Sequence, residues 1–160
     1  MILIAYDGSA DAQSAIDKAG ELFHGQPATV LTVWEPFVDV MTRTGAGFGL
    51  APGTVDYEQI DRAYERSARE RAAEGVERAT RASLNAQPRT RARHTTIAYA
   101  ILEEADEVGA SVIVLGTRGL TGIKSLLLGS VSHALLQHAD RPVVVVPSPD
   151  AAKERSEHRR

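Results

Sequence analysis

The sequence predicts a doubly wound α/β domain, a five-stranded parallel sheet with helices on both faces. Three observations predict it. Five apolar, β-rich runs are spread along the 160 residues. These runs are continuous in Val, Ile and Leu rather than alternating, as expected of strands covered on both faces. The segments between them carry helical apolar periodicity, which suits the crossovers that parallel strands require.

The first strand is Ile2 to Tyr6. No basic segment precedes it and it runs at once into Asp7-Gly8-Ser9, so it reads as a strand and not as a signal peptide. Ser9 is a good N-cap for a first helix whose apolar face is Ala12, Ala15, Ile16, Ala19 and Leu22. The second strand is Ala28 to Trp34. Glu35 to Thr54 then holds Pro36, Pro52, Gly45, Gly47, Gly49 and Gly53, and reads as a long loop, either a mobile lid or a disordered connection. A long second helix follows from Val55 to Ala86, with Ile60, Tyr64, Ala68, Ala72, Val76 and Ala79 as its inner stripe. Its outer face sets Glu58–Arg62, Glu65–Arg69, Glu74–Arg78 and Glu77–Arg81 in the favourable acid-before-base order.

A third, weaker strand is placed at Arg91 to Ile97. The third helix buries Ile101, Leu102, Ala105 and Val108, and Gly109 stops it. The fourth strand is Ser111 to Leu115, the fourth helix Val131 to Ala139, and the fifth strand Pro142 to Val146. Ser148 to Arg160 is polar with mixed charge and reads as a flexible tail, which leaves residues 1–147 as the domain.

Right-handed crossovers restrict the topology to the flavodoxin-like family of orders, with 3-2-1-4-5 the natural choice. In that order the first and fourth strands are neighbours and the helices after them leave on opposite faces. Ligands bind at such a switch point, outside the C-terminal strand ends. Asp7 closes the first strand there, and Gly116 closes the fourth.

Composition narrows the function further. The chain is 43% hydrophobic and 24% charged, with a net charge of −3, which speaks against nucleic acid and against an anionic membrane surface as partners. It has no cysteine, which removes disulfides, thiolate chemistry and cysteine metal sites and fits a reducing compartment. No apolar run approaches membrane-spanning length. The expected location is the cytoplasm.

The most telling motif is Gly116-Thr117-Arg118-Gly119, a nine-residue spacer, then Gly129-Ser130. A strand, a glycine loop and a helix start make the general recipe for an anion site. Glycines let backbone amides approach closely, and the helix N-terminus adds free N–H groups and the positive end of its dipole. A tight turn without a ligand is the plainer alternative. Asp7 either faces the ligand or caps the first helix beside Ser9. Arg118 and Lys124 lie inside the loop and either neutralise an anion or face water. The loop lacks the Gly-Lys-Ser/Thr ending of a Walker A sequence. No metal-ligand spacing or nucleophile elbow is present, and neither a catalytic residue nor a metal ligand is assigned.

These residues resemble the universal stress protein family, in its single-domain, nucleotide-binding form. The resemblance runs from Ile2-Leu3-Ile4-Ala5-Tyr6-Asp7-Gly8-Ser9 through Leu31-Thr32-Val33 and the glycine loop to Arg141-Pro142-Val143-Val144-Val145-Val146-Pro147. It implies an adenine nucleotide α-hydrolase-like sandwich that binds ATP, with AMP and a cyclic nucleotide left open and a divalent ion such as Mg accompanying the phosphates. Asp7 would lie at the nucleotide and Val33 would read the adenine edge. Ala5 and Leu115 would line base and sugar. Gly116 and Gly119 would pass the ribose and phosphates, Gly129, Ser130, Val131 and Ser132 would hold the phosphate chain, and Arg118 joins the candidate site through its charge. The resemblance also implies a homodimer through Val143–Val146 and a nucleotide that sets conformation or an unknown protein partner. Binding without turnover is expected, because no positioned base accompanies the loop. The alternatives are an interaction module with a vestigial pocket and a slow ATPase. With the third strand at Arg91 to Ile97, the connection into the third helix is shorter than the family's.

Overall fold

The computed structural model describes residues 1–45, 55–119 and 128–158. Its sheet contains β1 (Ile2–Ala5), β2 (Pro27–Trp34), β3 (Asn85–Ala92), β4 (Val112–Gly116) and β5 (Val143–Val146), ordered β3-β2-β1-β4-β5. Every neighbouring pair is parallel. The doubly wound α/β fold and its strand order are thus as the sequence predicts.

β1 lies at the centre, with Ile4 level with Val30 of β2 and Val114 of β4. Successive side chains of a strand point to opposite faces, so Ile2 and Ile4 enter one core and Leu3 the other. On the first face α1 (Ala10–Leu22) and the long helix α3 (Tyr57–Arg81) cover the sheet through Ala12, Ala15, Ile16, Ala19 and Ala79. On the second face α4 (Ile97–Glu107) and α5 (Ser130–His138) contribute Ala98, Ile101, Ala105 and Leu135. Two more helices complete the described residues, α2 (Phe37–Thr44) after β2 and α6 (Pro149–Glu157) after β5. Among the described residues no helix is long and apolar enough to cross a membrane.

α3 follows its expected alanine stripe at Ala68, Ala72 and Ala79, with Gly75 added. A β-carbon on Gly75 would lie 2.7 Å from Cγ1 of Val30 and 2.9 Å from the Tyr6 ring. Glycine here weakens the helix in isolation, but it lets α3 close onto β1 and β2. Tyr64 of the expected stripe is exposed and instead meets Phe37 of α2 edge-on. Leu22, expected on the inner face of α1, is exposed as well. Of the expected surface pairs, Glu58–Arg62 and Glu65–Arg69 form. Arg78 reaches across to Asp17 of α1 instead, and Glu74 accepts a hydrogen bond from the Tyr6 hydroxyl.

Five features differ from expectation. α3 ends at Arg81, because Ser83 takes a left-handed conformation with φ of 64° and turns the chain into β3. β3 is therefore Asn85–Ala92 and not Arg91 to Ile97. It is an edge strand holding Pro88, whose missing N–H an edge tolerates. The connection to α4 becomes 93–96, closed by Thr96, whose side chain caps the Tyr99 amide, so the chain does not run almost directly from strand into helix as expected. Within the expected loop from Glu35 to Thr54, residues 37–44 are helical, while 46–54 lie outside the described residues. The expected tail contains α6, started by a buried Ser148 that caps the Ala151 amide and anchored by buried Ala151.

The face of β3 beneath α4 is charged. Arg89 and Arg91 alternate along the strand and Arg93 follows directly after it in the same period, so all three point to one side. Glu104 of α4, 2% exposed, accepts from Arg89 Nε at 2.6 Å and from Arg91 Nε at 2.8 Å. Glu107 pairs with the same two arginines, and Glu35 at the end of β2 takes Arg93 and Arg43. At the same C-terminal end of α4, Arg141 Nη1 donates to the carbonyls of Ala105 and Ala110. These groups fix α4, which walls the second face of the switch point.

Candidate functional site

The C-terminal ends of β1 and β4 meet as the strand order requires. After Tyr6 the chain turns at Asp7-Gly8-Ser9, and Gly8 supplies the left-handed φ of 84° that the turn needs. Asp7 Oδ1 accepts the Ser9 amide at 3.0 Å, so Asp7 does brace the start of α1. Its other oxygen, Oδ2, faces the loop after β4. A β-carbon on Gly119 would sit only 2.6 Å from it. Asp7 and Gly119, far apart in sequence, thus meet at the C-terminal ends of β1 and β4.

The three glycines of the motif have three different duties. A β-carbon on Gly116 would lie 2.6 Å from Cβ of Asp11 and 2.8 Å from the Ala12 nitrogen, so this glycine lets α1 pack against the end of β4. A β-carbon on Gly129 would be 3.0 Å from the Thr117 carbonyl oxygen, which the Gly129 amide itself reaches at 2.8 Å. That glycine closes the loop onto the start of α5. Of the three, only Gly119 faces Asp7.

Several expected donors are engaged inside the protein. The Arg118 amide donates to Asp11 Oδ2 at 3.1 Å, and its carbonyl accepts from the Ser9 hydroxyl. The Arg118 guanidinium lies 3.8 Å from Asp11 and 4.0 Å from Glu154 of α6, so its charge is matched within the fold. The buried Ser132 hydroxyl has the Thr117 carbonyl at 3.1 Å and the Gly129 carbonyl at 3.0 Å. Lys124 and the rest of 120–127 lie outside the described residues.

The start of α5 is left open. Its N-cap is Gly129, which offers no side-chain oxygen, whereas Ser9, Asp56, Thr96 and Ser148 cap α1, α3, α4 and α6. Among the described residues nothing accepts from the amides of Ser130 and Val131, and Ser130 is exposed. Unpaired amides at a helix N-terminus, with the dipole behind them, are an anion site in waiting. Apolar residues expected at the base and sugar come together on the same face. Ala5, Val33 and Val131 pack as half-buried residues around the core cluster that holds Leu115.

Two residues of the site carry no signal that sequence reasoning used. Asp11 sits in the first turn of α1, where an acid has the generic explanation of complementing the helix dipole. Thr117 lies inside the motif, but nothing local reveals that its hydroxyl donates to Asp11.

Comparison with known proteins places the chain in a family. The model of the universal stress protein family matches residues 1–147. The universal stress protein YxiE of Bacillus subtilis is 33% identical over 153 residues, covering 91% of this chain and 97% of the relative. A Thermus aquaticus universal stress protein is 34% identical over 147 residues, covering 91% and 96%. Among solved structures, a universal stress protein family member from Burkholderia pseudomallei superposes with a TM-score of 0.65 at 28% identity, covering 91% of this chain and 94% of that one. The Archaeoglobus fulgidus universal stress protein in complex with dAMP gives 0.60 at 22%, covering 91% and 95%. A universal stress protein in complex with cAMP gives 0.61 at 21%, covering 92% and 96%. The chain belongs to the universal stress protein family.

Proposed function

We propose that this protein binds an adenine nucleotide, ATP in the first place, in the cleft between the ends of β1 and β4. Its nucleotide state would set its conformation or its choice of partner in a stress response. The observation that carries the reading is the uncapped start of α5 beside the Asp7–Gly119 pair. The Ser130 and Val131 amides and the Ser130 hydroxyl are placed to receive phosphate oxygens, while Ala5, Val33 and Leu115 offer an apolar floor to base and ribose. Structural relatives in complex with dAMP and cAMP support an adenine nucleotide as the ligand class. Arg118 contributes here through its place in the loop, since its charge is already matched by Asp11 and Glu154. Among the described residues no cluster of three potential metal ligands occurs. A divalent ion such as Mg would therefore arrive with the ATP phosphates. Isothermal titration with ATP, with and without magnesium, is expected to show saturable binding at one site per chain. No heat, together with no nucleotide co-purifying, would remove the reading.

The same reading includes a homodimer through β5. This strand is the second edge of the sheet, with Val143, Val144 and Val145 only half-buried. The carbonyls of Pro142 and Val146 bond to β4, so the period of two turns the backbone groups of Val143 and Val145 toward the open edge. Light scattering should give twice the mass of the chain, and a strict monomer at all concentrations would contradict it.

A further inference from the structure

We propose that Asp11 is the positioning residue of the phosphate-binding loop, acting through Thr117 without touching the ligand. This inference rests on the nucleotide reading above.

Asp11 is only 5% exposed, and a carboxylate is buried at high cost unless it is paired and hydrogen-bonded. Here its Oδ2 receives the Thr117 hydroxyl, the Arg118 amide at 3.1 Å and the approach of the Arg118 guanidinium at 3.8 Å. All three groups come from the two residues between Gly116 and Gly119. An acid in the first turn of a helix ordinarily serves that helix's own amides. In α1 the Ser9 hydroxyl oxygen already accepts the Ala12 amide at 3.2 Å, which leaves Asp11 to reach across to the loop. Gly116 makes the reach short, because the backbone at Asp11 packs directly on its α-carbon.

Thr117 is the node. Its hydroxyl is held by Asp11, and its carbonyl accepts from the Gly129 amide at 2.8 Å and from the Ser132 hydroxyl at 3.1 Å. The peptide that Asp11 orients on one side therefore fixes the start of α5 on the other. The separation between Gly119 and the open amides of Ser130 and Val131 is set through this chain of contacts. That separation must match a phosphate group, whereas the apolar floor at Ala5, Val33 and Leu115 is built from strands that Asp11 does not orient.

The test compares affinities for ATP and for adenosine in the full chain and in Asp11→Ala, Thr117→Val and Thr117→Ser, with each variant's melting curve recorded. Asp11→Ala and Thr117→Val should each weaken ATP by about tenfold, equivalent to ~1.4 kcal/mol, and leave adenosine unchanged. Thr117→Ser, which keeps the hydroxyl, should retain wild-type affinity. The double variant should be no weaker than Asp11→Ala alone, because both changes break one link. If Asp11→Ala does not fold, the contrast between Thr117→Val and Thr117→Ser decides the matter. Unchanged ATP affinity in Thr117→Val and in any folded Asp11→Ala, or equal weakening of ATP and adenosine, would overturn the positioning role alone. A wild-type protein that binds neither compound would overturn the nucleotide reading and this proposal with it.

Discussion

Gly119→Val is expected to abolish most ATP affinity while leaving the fold close to its wild-type stability. The new β-carbon would occupy space 2.6 Å from Asp7 Oδ2, so the Asp7 carboxylate must swing away. The carboxylate can turn about its side-chain bonds at the cost of loosening its contact with the Ser9 amide, and Gly119 is exposed with no positive φ to lose. The structural cost is therefore small. The binding cost is not, because the valine both displaces Asp7 and stands where the loop must approach a phosphate. Losing two charge-assisted contacts of ~1.5 kcal/mol each amounts to roughly a hundredfold in affinity. The control is the melting temperature, which should barely change. Wild-type ATP affinity in this variant would place the site elsewhere.

Glu104→Ala should give the largest stability loss of any single charge in the protein. Glu104 is nearly fully buried and holds two arginines whose side chains are 40% and 23% exposed. Removing one member of a buried ion cluster strands the remaining charges, at a typical cost of ~3–5 kcal/mol. Arg89 and Arg91 retain some solvent and Glu107, so the expected loss is nearer 2–3 kcal/mol, or ~4–12 °C in melting temperature for a domain of this size. Glu103, exposed and 3.5 Å from Arg91, provides the contrast, and Glu103→Ala should be close to neutral. Equal effects from the two variants in thermal denaturation would contradict the account. β3 offers α4 no aliphatic surface on this face, so charges do the work that leucines do elsewhere in the sheet.

That same feature explains where the sequence was readable. β1, β2, β4 and β5 declare themselves as Val/Ile/Leu runs because both their faces are covered. β3 does not, because an edge strand made of Gln87, Pro88, Arg89, Thr90 and Arg91 has neither an apolar run nor a high β propensity. The end of α3 was hidden for a related reason. Ser83 takes the left-handed position that glycine usually marks, so nothing in the sequence announced the stop. In the sequence α6 reads as a flexible tail, because its single buried alanine gives no apolar stripe and the N-cap Ser148 stands alone as a signal.

At the site, the motif and its partner Asp7 were legible because strand order alone brings them together. The division of labour was not. Spacing cannot tell that Gly116 serves packing and Gly119 faces Asp7, nor that the Arg118 charge is consumed by Asp11 and Glu154. Those facts depend on which groups from α1 and α6 arrive beside the loop, and that is decided by tertiary packing.

The central claim is that an adenine nucleotide sits with its phosphates on the open start of α5 and its base against β1 and β2. A two-dimensional amide NMR titration with ATP tests it most directly. The account predicts saturable shifts at Gly119, Ser130 and Val131, with a second group at Ala5 and Val33, and little change along α3 or β3. No saturable shift, or shifts confined to residues away from the β1–β4 edge, would contradict it.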